Sequence, residues 1–290
     1  MNYAITHTTS YSGSKPVSVC HNQAWLRPRD LPFQICESFS LQISPEPSIQ
    51  SDRTDHFGNF VNFFSFNQGY EKLKVSSISS ISLIPRGNSL PAAPQWEQVR
   101  DEVASTRSPE MLDPYLFTFG SPRIRTHTEF ADYARISFPP QRDILSAAKD
   151  LTLRVFHEFE FDKRATTVTT PVEEVFRHRK GVCQDFAHLQ IALLRSLKLP
   201  ARYVSGYLRT IPPPGKPRLI GSDATHAWLS LYCGADLGWI DLDPTNNLIP
   251  NTDHITIAWG RDYSDVPPLR GVYIGGGSHS LTVAVDVKLV

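Results

Sequence analysis

A thiol, an imidazole and a carboxylate stand out in this 290-residue chain, each placed by local pattern at the end of a helix or strand. Cys183 follows Gly181-Val182 and opens a run rich in Ala, Leu, Gln and Phe, which Pro200 stops. That run reads as a helix over 183–197 with the cysteine at its start. Unpaired N–H groups and the positive end of the helix dipole favour a thiolate there, the form of sulfur that attacks carbonyl carbon. They also supply at least one backbone donor for an oxyanion on the attacked group, while Gly181 gives the chain room to turn. A cysteine in this place equally serves as a small buried hydrophobe. The later segments change the balance. His226, in Asp223-Ala224-Thr225-His226-Ala227-Trp228, starts one strand, and Asp243, in Gly238-Trp239-Ile240-Asp241-Leu242-Asp243-Pro244-Thr245, ends the next. A thiol site needs a base and a group that orients that base, and these three residues meet the need.

Other polar residues weigh less. Asp241 would share a strand face with Asp243. Gln184, next to the thiol, reads either as a substrate contact or as a helix-surface hydrogen bonder, and Asp185 complements the helix dipole. His188 reads as a packing or surface residue. His178 and His188 lack an HExxH or paired CxxC setting, so no metal is expected, and the acidic residues are too dispersed for a calcium loop. No cofactor is implied. Trp228 and Trp239 read as strand packing, Arg261-Asp262-Tyr263 as a structural network, and Gly275-Gly276-Gly277 as a hairpin turn rather than a phosphate cradle.

The elements that must position these groups are legible in outline. Alternation at Phe39, Leu41, Ile43 and at Leu73, Val75 predicts a β-rich start, with a turn at Asp55-His56-Phe57-Gly58-Asn59. A Pro-containing stretch over 85–94 marks a boundary. Helices are predicted over 96–104, 128–134 and 143–159, and another is expected from Thr170 as N-cap with Pro171 at its first position. Strands follow over 202–208, 226–232 and 238–242. The tail alternates through Leu281, Val283, Val285, Val287 and Leu289 and reads as a final strand.

Composition sets limits. Hydrophobic residues are 40% and charged residues 20%, as in a folded globular chain. Lys+Arg and Asp+Glu balance at 29 each, which gives nucleic acid or an anionic membrane little hold. No secretory signal and no apolar run of about eighteen residues is read. The four cysteines lack the spacing of a disulfide framework, and a cytoplasmic setting is expected.

The run of motifs Gly181-Val182-Cys183-Gln184-Asp185-Phe186, Leu199-Pro200-Ala201-Arg202, His226-Ala227-Trp228, Gly238-Trp239 and Asp243-Pro244-Thr245 resembles the core of the transglutaminase-like superfamily. The likeness is strongest to prokaryotic members, often described as candidate cysteine proteases. Arg27-Pro28-Arg29, the Asp55–Asn59 turn and Gly260-Arg261-Asp262-Tyr263 resemble the flanking parts of bacterial members. The resemblance implies an α+β fold: an N-terminal antiparallel β domain (1–85), a helical connector (86–140), a papain-like catalytic core (141–250) and C-terminal strands (251–290) that could return to the N-terminal sheet. It implies Cys183 as nucleophile, His226 as base and Asp243 as orienting acid. The expected activity is thiol-dependent acyl chemistry on a protein or peptide amide, chiefly hydrolysis. Protein-glutamine transamidation and a non-catalytic binding module on the same fold are the alternatives. The proline-rich stretch 209–222, just before His226, is expected to wall the cleft.

Overall fold

The structure is a computed structural model and describes residues 1–87, 91–106, 108–210 and 224–290. The β-rich start forms β1 (Asn2–Ala24), β2 (Gln34–Ser44), β3 (Ile49–Thr54), β4 (Phe60–Phe66) and β5 (Tyr70–Leu83). Along β1 the residues Tyr3, Ile5, His7 and Thr9 are buried and their neighbours less so, the period that lays one strand face on a core. At 23 residues, β1 is long enough to serve two sets of neighbours. Its first half pairs with β5 and its second with β4, giving the antiparallel order β2-β5-β1-β4-β3.

Helices α1 (Trp96–Ser105), α2 (Pro109–Leu116), α3 (Thr128–Arg135) and α4 (Ile144–Glu158) follow. Asp143 caps α4 by accepting the Ser146 N–H at 2.8 Å. Short strands β6 (Glu160–Phe161) and β7 (Lys180–Gly181) pair in parallel on either side of α5 (Val172–His178). Thr170, expected to cap α5, instead takes the Thr167 N–H at 2.9 Å within the preceding turn, so Pro171 occupies the cap position and the helix begins one residue late.

Helix α6 (Cys183–Ser196) is buried on nearly every side after its first turn, the mark of a central helix. It packs against β8 (Ala201–Leu208) and β9 (Ala224–Tyr232), with α3, α4 and α5 around it. Together with β10 (Trp239–Leu242) and β11 (His254–Gly260) these strands form an antiparallel sheet in the order β10-β9-β8-β11. β11 lies in the stretch 251–290, past the bounds 141–250 expected for the core, and it pairs with β8 and completes the core sheet. The last two strands, β12 (Leu269–Gly275) and β13 (His279–Leu289), return to the N-terminal sheet. Both pair with β1, end to end, and not with each other, so Gly275-Gly276-Gly277 links them without forming the hairpin turn expected there. The architecture is α+β, with an antiparallel N-terminal sheet and a second, four-stranded antiparallel sheet packed on α6. Among the described residues, no helix is long and apolar enough to cross a membrane.

An edge strand leaves a row of backbone groups without partners. On β11 the N-terminal sheet covers that row with side-chain amides. The buried Gln34 donates to the Thr256 carbonyl at 2.8 Å and accepts the Thr256 N–H at 2.9 Å. Asn59, from the expected turn, does the same for Trp259 at 2.8 and 3.0 Å. The Arg29 guanidinium lies 3.4 Å from the centre of the Trp259 ring. The Thr256 carbonyl also takes the Arg29 N–H at 3.2 Å, so Gln34→Ala should leave the buried Thr256 N–H unpaired and cost about 2 kcal/mol, read as a lower urea midpoint at unchanged slope. A loss below about 1 kcal/mol would show that Gln34 does not hold this edge.

Candidate active site

The thiol is set by the turn before α6. A Cβ on Gly181 would lie 2.8 Å from the Asp185 Cβ, so glycine lets the Asp185 side chain fold back over the chain. There Asp185 accepts the Val182 N–H at 2.8 Å and the Thr166 hydroxyl at 2.6 Å. Burial raises the Asp185 pKa against these two bonds. The first helical bond runs from the Phe186 N–H to the Val182 carbonyl. The amides of residues 183–185 thus stand at the open end of the helix, as at any helix N-terminus. Cys183 itself is half-buried and packs against the core. Gln184 donates to the Val168 carbonyl at 3.3 Å, an oxygen that the Arg123 guanidinium also engages.

His226 sits near the start of β9, opposite Gly206 of β8. Its Nε2 lies 2.7 Å from Asp243 Oδ2. Burial disfavours charge on the imidazole. The hydrogen bond to Asp243, the interaction with the adjacent Cys183 thiol and the charges of both outweigh it and raise the His226 pKa to about 10. Three sequence-selected residues separated by up to 60 positions thus share one electrostatic unit.

Asp243 follows the end of β10, where its backbone pairs with Leu248 and turns the chain. Its Oδ1 accepts the N–H groups of Thr245 and Asn246 at 2.9 and 3.2 Å. Its Oδ2 accepts from His226, from His254 at 2.9 Å and from the Asn246 amide at 2.7 Å. Burial opposes ionisation, but the two histidines and Asn246 hold the carboxyl well below the usual carboxylate range. His254 and Asn246 are the residues that sequence reasoning missed. Asn246, three residues after Asp243 in a turn, carries a signal an Asx-turn reading could have used. His254 carries none.

The remaining sequence-selected residues fall elsewhere. Asp241 accepts from the Ser230 hydroxyl and pairs with Arg86 at 2.9 Å. His188 is buried, accepts the Tyr263 N–H at 3.1 Å and meets the Tyr203 ring at a tilt, 5.0 Å between centres; burial lowers its pKa to about 3. Arg261-Asp262-Tyr263 forms a network: Arg261 forks onto Asp265 at 2.9 and 2.9 Å, and buried Asp262 accepts the Arg123 and Ser264 N–H groups. Stretch 209–222 lies outside the described residues beyond Thr210. Among the described residues, His226, Asp243 and His254 bring possible metal-ligand atoms within 4.8 Å of one another. Five hydrogen bonds already fill the Asp243 oxygens, an arrangement that suits a carboxylate orienting imidazoles.

Residues 3–82 match the bacterial transglutaminase-like N-terminal region, and residues 134–244 match the transglutaminase-like superfamily. An uncharacterized protein of Mycobacterium tuberculosis is 38% identical over 98% of this chain and 92% of its own length. A protein-glutamine gamma-glutamyltransferase of Pseudomonas aeruginosa is 30% identical over 53% of this chain and 23% of its own. The crystal structure of a candidate cysteine protease from Cytophaga hutchinsonii superposes with a TM-score of 0.75, at 23% identity, over 99% of this chain and 90% of that one, a likeness of fold.

Proposed function

The chain belongs to the transglutaminase-like superfamily, and from that premise we propose that it performs thiol-dependent acyl chemistry on peptide or isopeptide amides through Cys183, His226 and Asp243. One observation carries the reading: an imidazole held at 2.7 Å by an ionised carboxylate, with a half-buried thiol at a helix start beside it. In this reading the Cys183 sulfur attacks the amide carbonyl carbon and an S–C bond forms. The C–N bond then breaks as protonated His226 gives its proton to the leaving amine. Water attacks the thioester next, His226 takes a proton from it, and the acid leaves as the S–C bond breaks. Asp243 stays ionised and keeps the imidazole aligned throughout. The amides at the start of α6 are positioned to offer a donor to the oxyanion. Gln184, beside the thiol, is the proposed substrate contact.

Transamidation is the second reading, favoured by the likeness to the P. aeruginosa glutamyltransferase. It shares the thioester and differs only in that a primary amine arrives before water. The cytoplasm remains the proposed compartment, in keeping with four free thiols.

Labelling with an iodoacetamide probe at pH 6 tests the reading. Cys20 and Cys233 are buried and would be shielded in any case, and burial pushes the Cys233 thiol up to about 12. Cys36 is the informative comparator, because it is as half-buried as Cys183 while burial raises its pKa. Cys183 should be labelled at least tenfold faster than Cys36, since the thiolate is the reacting form. Equal rates for the two would overturn the reading. Mass spectrometry of peptide substrates with and without a primary amine then separates hydrolysed from amine-coupled products.

A further inference from the structure

We propose that His254 is a positioning residue of this site: its imidazole N–H fixes the direction in which Asp243 holds His226. The inference rests on the thiol site proposed above and adds to it a fourth residue from a different strand. His254 opens β11, opposite Leu208 of β8, and its side chain is 4% exposed. Its Nε2 lies 2.9 Å from the same Asp243 Oδ2 that receives His226 at 2.7 Å. An ionised carboxylate can only accept, so both Nε2 atoms carry hydrogen.

A carboxylate held by one donor can rotate about its last bond, and its partner imidazole then wanders with it. Here Oδ2 is fixed from three sides: by β9 through His226, by β11 through His254, and by the turn after β10 through the Asn246 amide at 2.7 Å. Two backbone N–H groups hold Oδ1. The extra donors also lower the pull of the carboxylate on the His226 proton, leaving that proton on the imidazole and not shared with Asp243. Trp228 fixes the angle between the two rings. Its indole meets His254 edge-on at 5.2 Å and lies 6.0 Å from His226. Because β11 is pinned along its outer edge by Gln34 and Asn59, His254 also ties the alignment of the site to the N-terminal sheet.

Two substitutions separate a donor from a mere filler of space. His254→Phe keeps a ring against Trp228 and removes the N–H. His254→Gln loses the ring and keeps an amide donor within reach of Asp243. The readout is the ratio of Cys183 alkylation rates at pH 6 and pH 9, with thermal unfolding of each variant recorded beside it. The groups facing the pair are Cys183, Asp243, Asn246, His254 and Trp228, and only His254 changes. His254→Phe should lower the pH 6 rate by about ten- to a hundredfold, the equivalent of losing one hydrogen bond to a charged group, while His254→Gln, which keeps a donor, should stay near the parent rate. A structural role predicts the reverse order, so each variant decides alone if the other fails to fold. Retention of the pH 6 rate in His254→Phe, or its loss in His254→Gln, overturns the proposal. His226→Ala measured in parallel keeps the two readings apart. If that variant is slow while His254→Phe is not, only the role of His254 falls; if His226→Ala is itself unaffected, the thiol site falls with it.

Discussion

Replacing His226 with alanine should slow the alkylation of Cys183 at pH 6, and amide turnover with it, by about 10²–10⁴-fold, the range supplied by a positioned acid–base group. The reason lies in the raised His226 pKa. A group whose folded pKa of about 10 exceeds its unfolded 6.5 stabilises the folded state fully below 6.5 and loses that contribution as pH rises through 10. Asp243 works in the other sense: depressed below 3.8, it contributes above that value and loses its contribution as pH falls through its lower folded value. Both contributions are complete between about 3.8 and 6.5, and the imidazolium next to Cys183 persists to about 10. Alkylation of the parent should therefore be nearly flat from pH 6 to 9. In His226→Ala it should climb with pH, as it does for a cysteine with no neighbouring cation. A parent profile that climbs as steeply as the variant's would refute the assignment of His226.

Gly206→Ala should destabilise the protein by about 3 kcal/mol or more, at the upper end for overpacking a core. A Cβ at this position would stand 2.2 Å from the Ile255 carbonyl of β11 and 2.4 Å from the nearest Trp228 ring atom. Neither neighbour can yield cheaply. Ile255 is backbone in a paired strand, and Trp228 is fully buried against His226 and His254. Relief requires moving β11 or the indole, and each holds part of the site. The variant should unfold at a lower urea concentration and also lose the fast alkylation of Cys183. A shift below about 0.5 kcal/mol, the scale of a neutral surface change, would mean that β11 does not close over Gly206 as described.

The sequence alone determined the chemistry that local pattern can encode. Gly181-Val182-Cys183 before an apolar, alanine-rich run specifies a helix start, because propensity and the glycine act within a few residues of the thiol. His226 lies on a strand and Asp243 just past the end of one, both strands read from their own neighbours, and the spacing of the motifs ordered the three. The N-terminal alternation and the Asp55–Asn59 turn were legible for the same reason: a two-residue period and turn chemistry are local properties. Tertiary structure alone decided which distant chains complete the site. Gln34 and Asn59 are ordinary polar residues in sequence, and they matter because β11 is an edge strand whose backbone they must satisfy. β11 lies past Asp243 in the chain, and its pairing with β8 turns on sheet order, which short-range pattern does not specify. His254 is one of ten histidines with no motif around it. It reaches Asp243 because β11 crosses the sheet to the far side of β8, and hydrogen bonding through space, unlike helix propensity, depends on the whole packed arrangement.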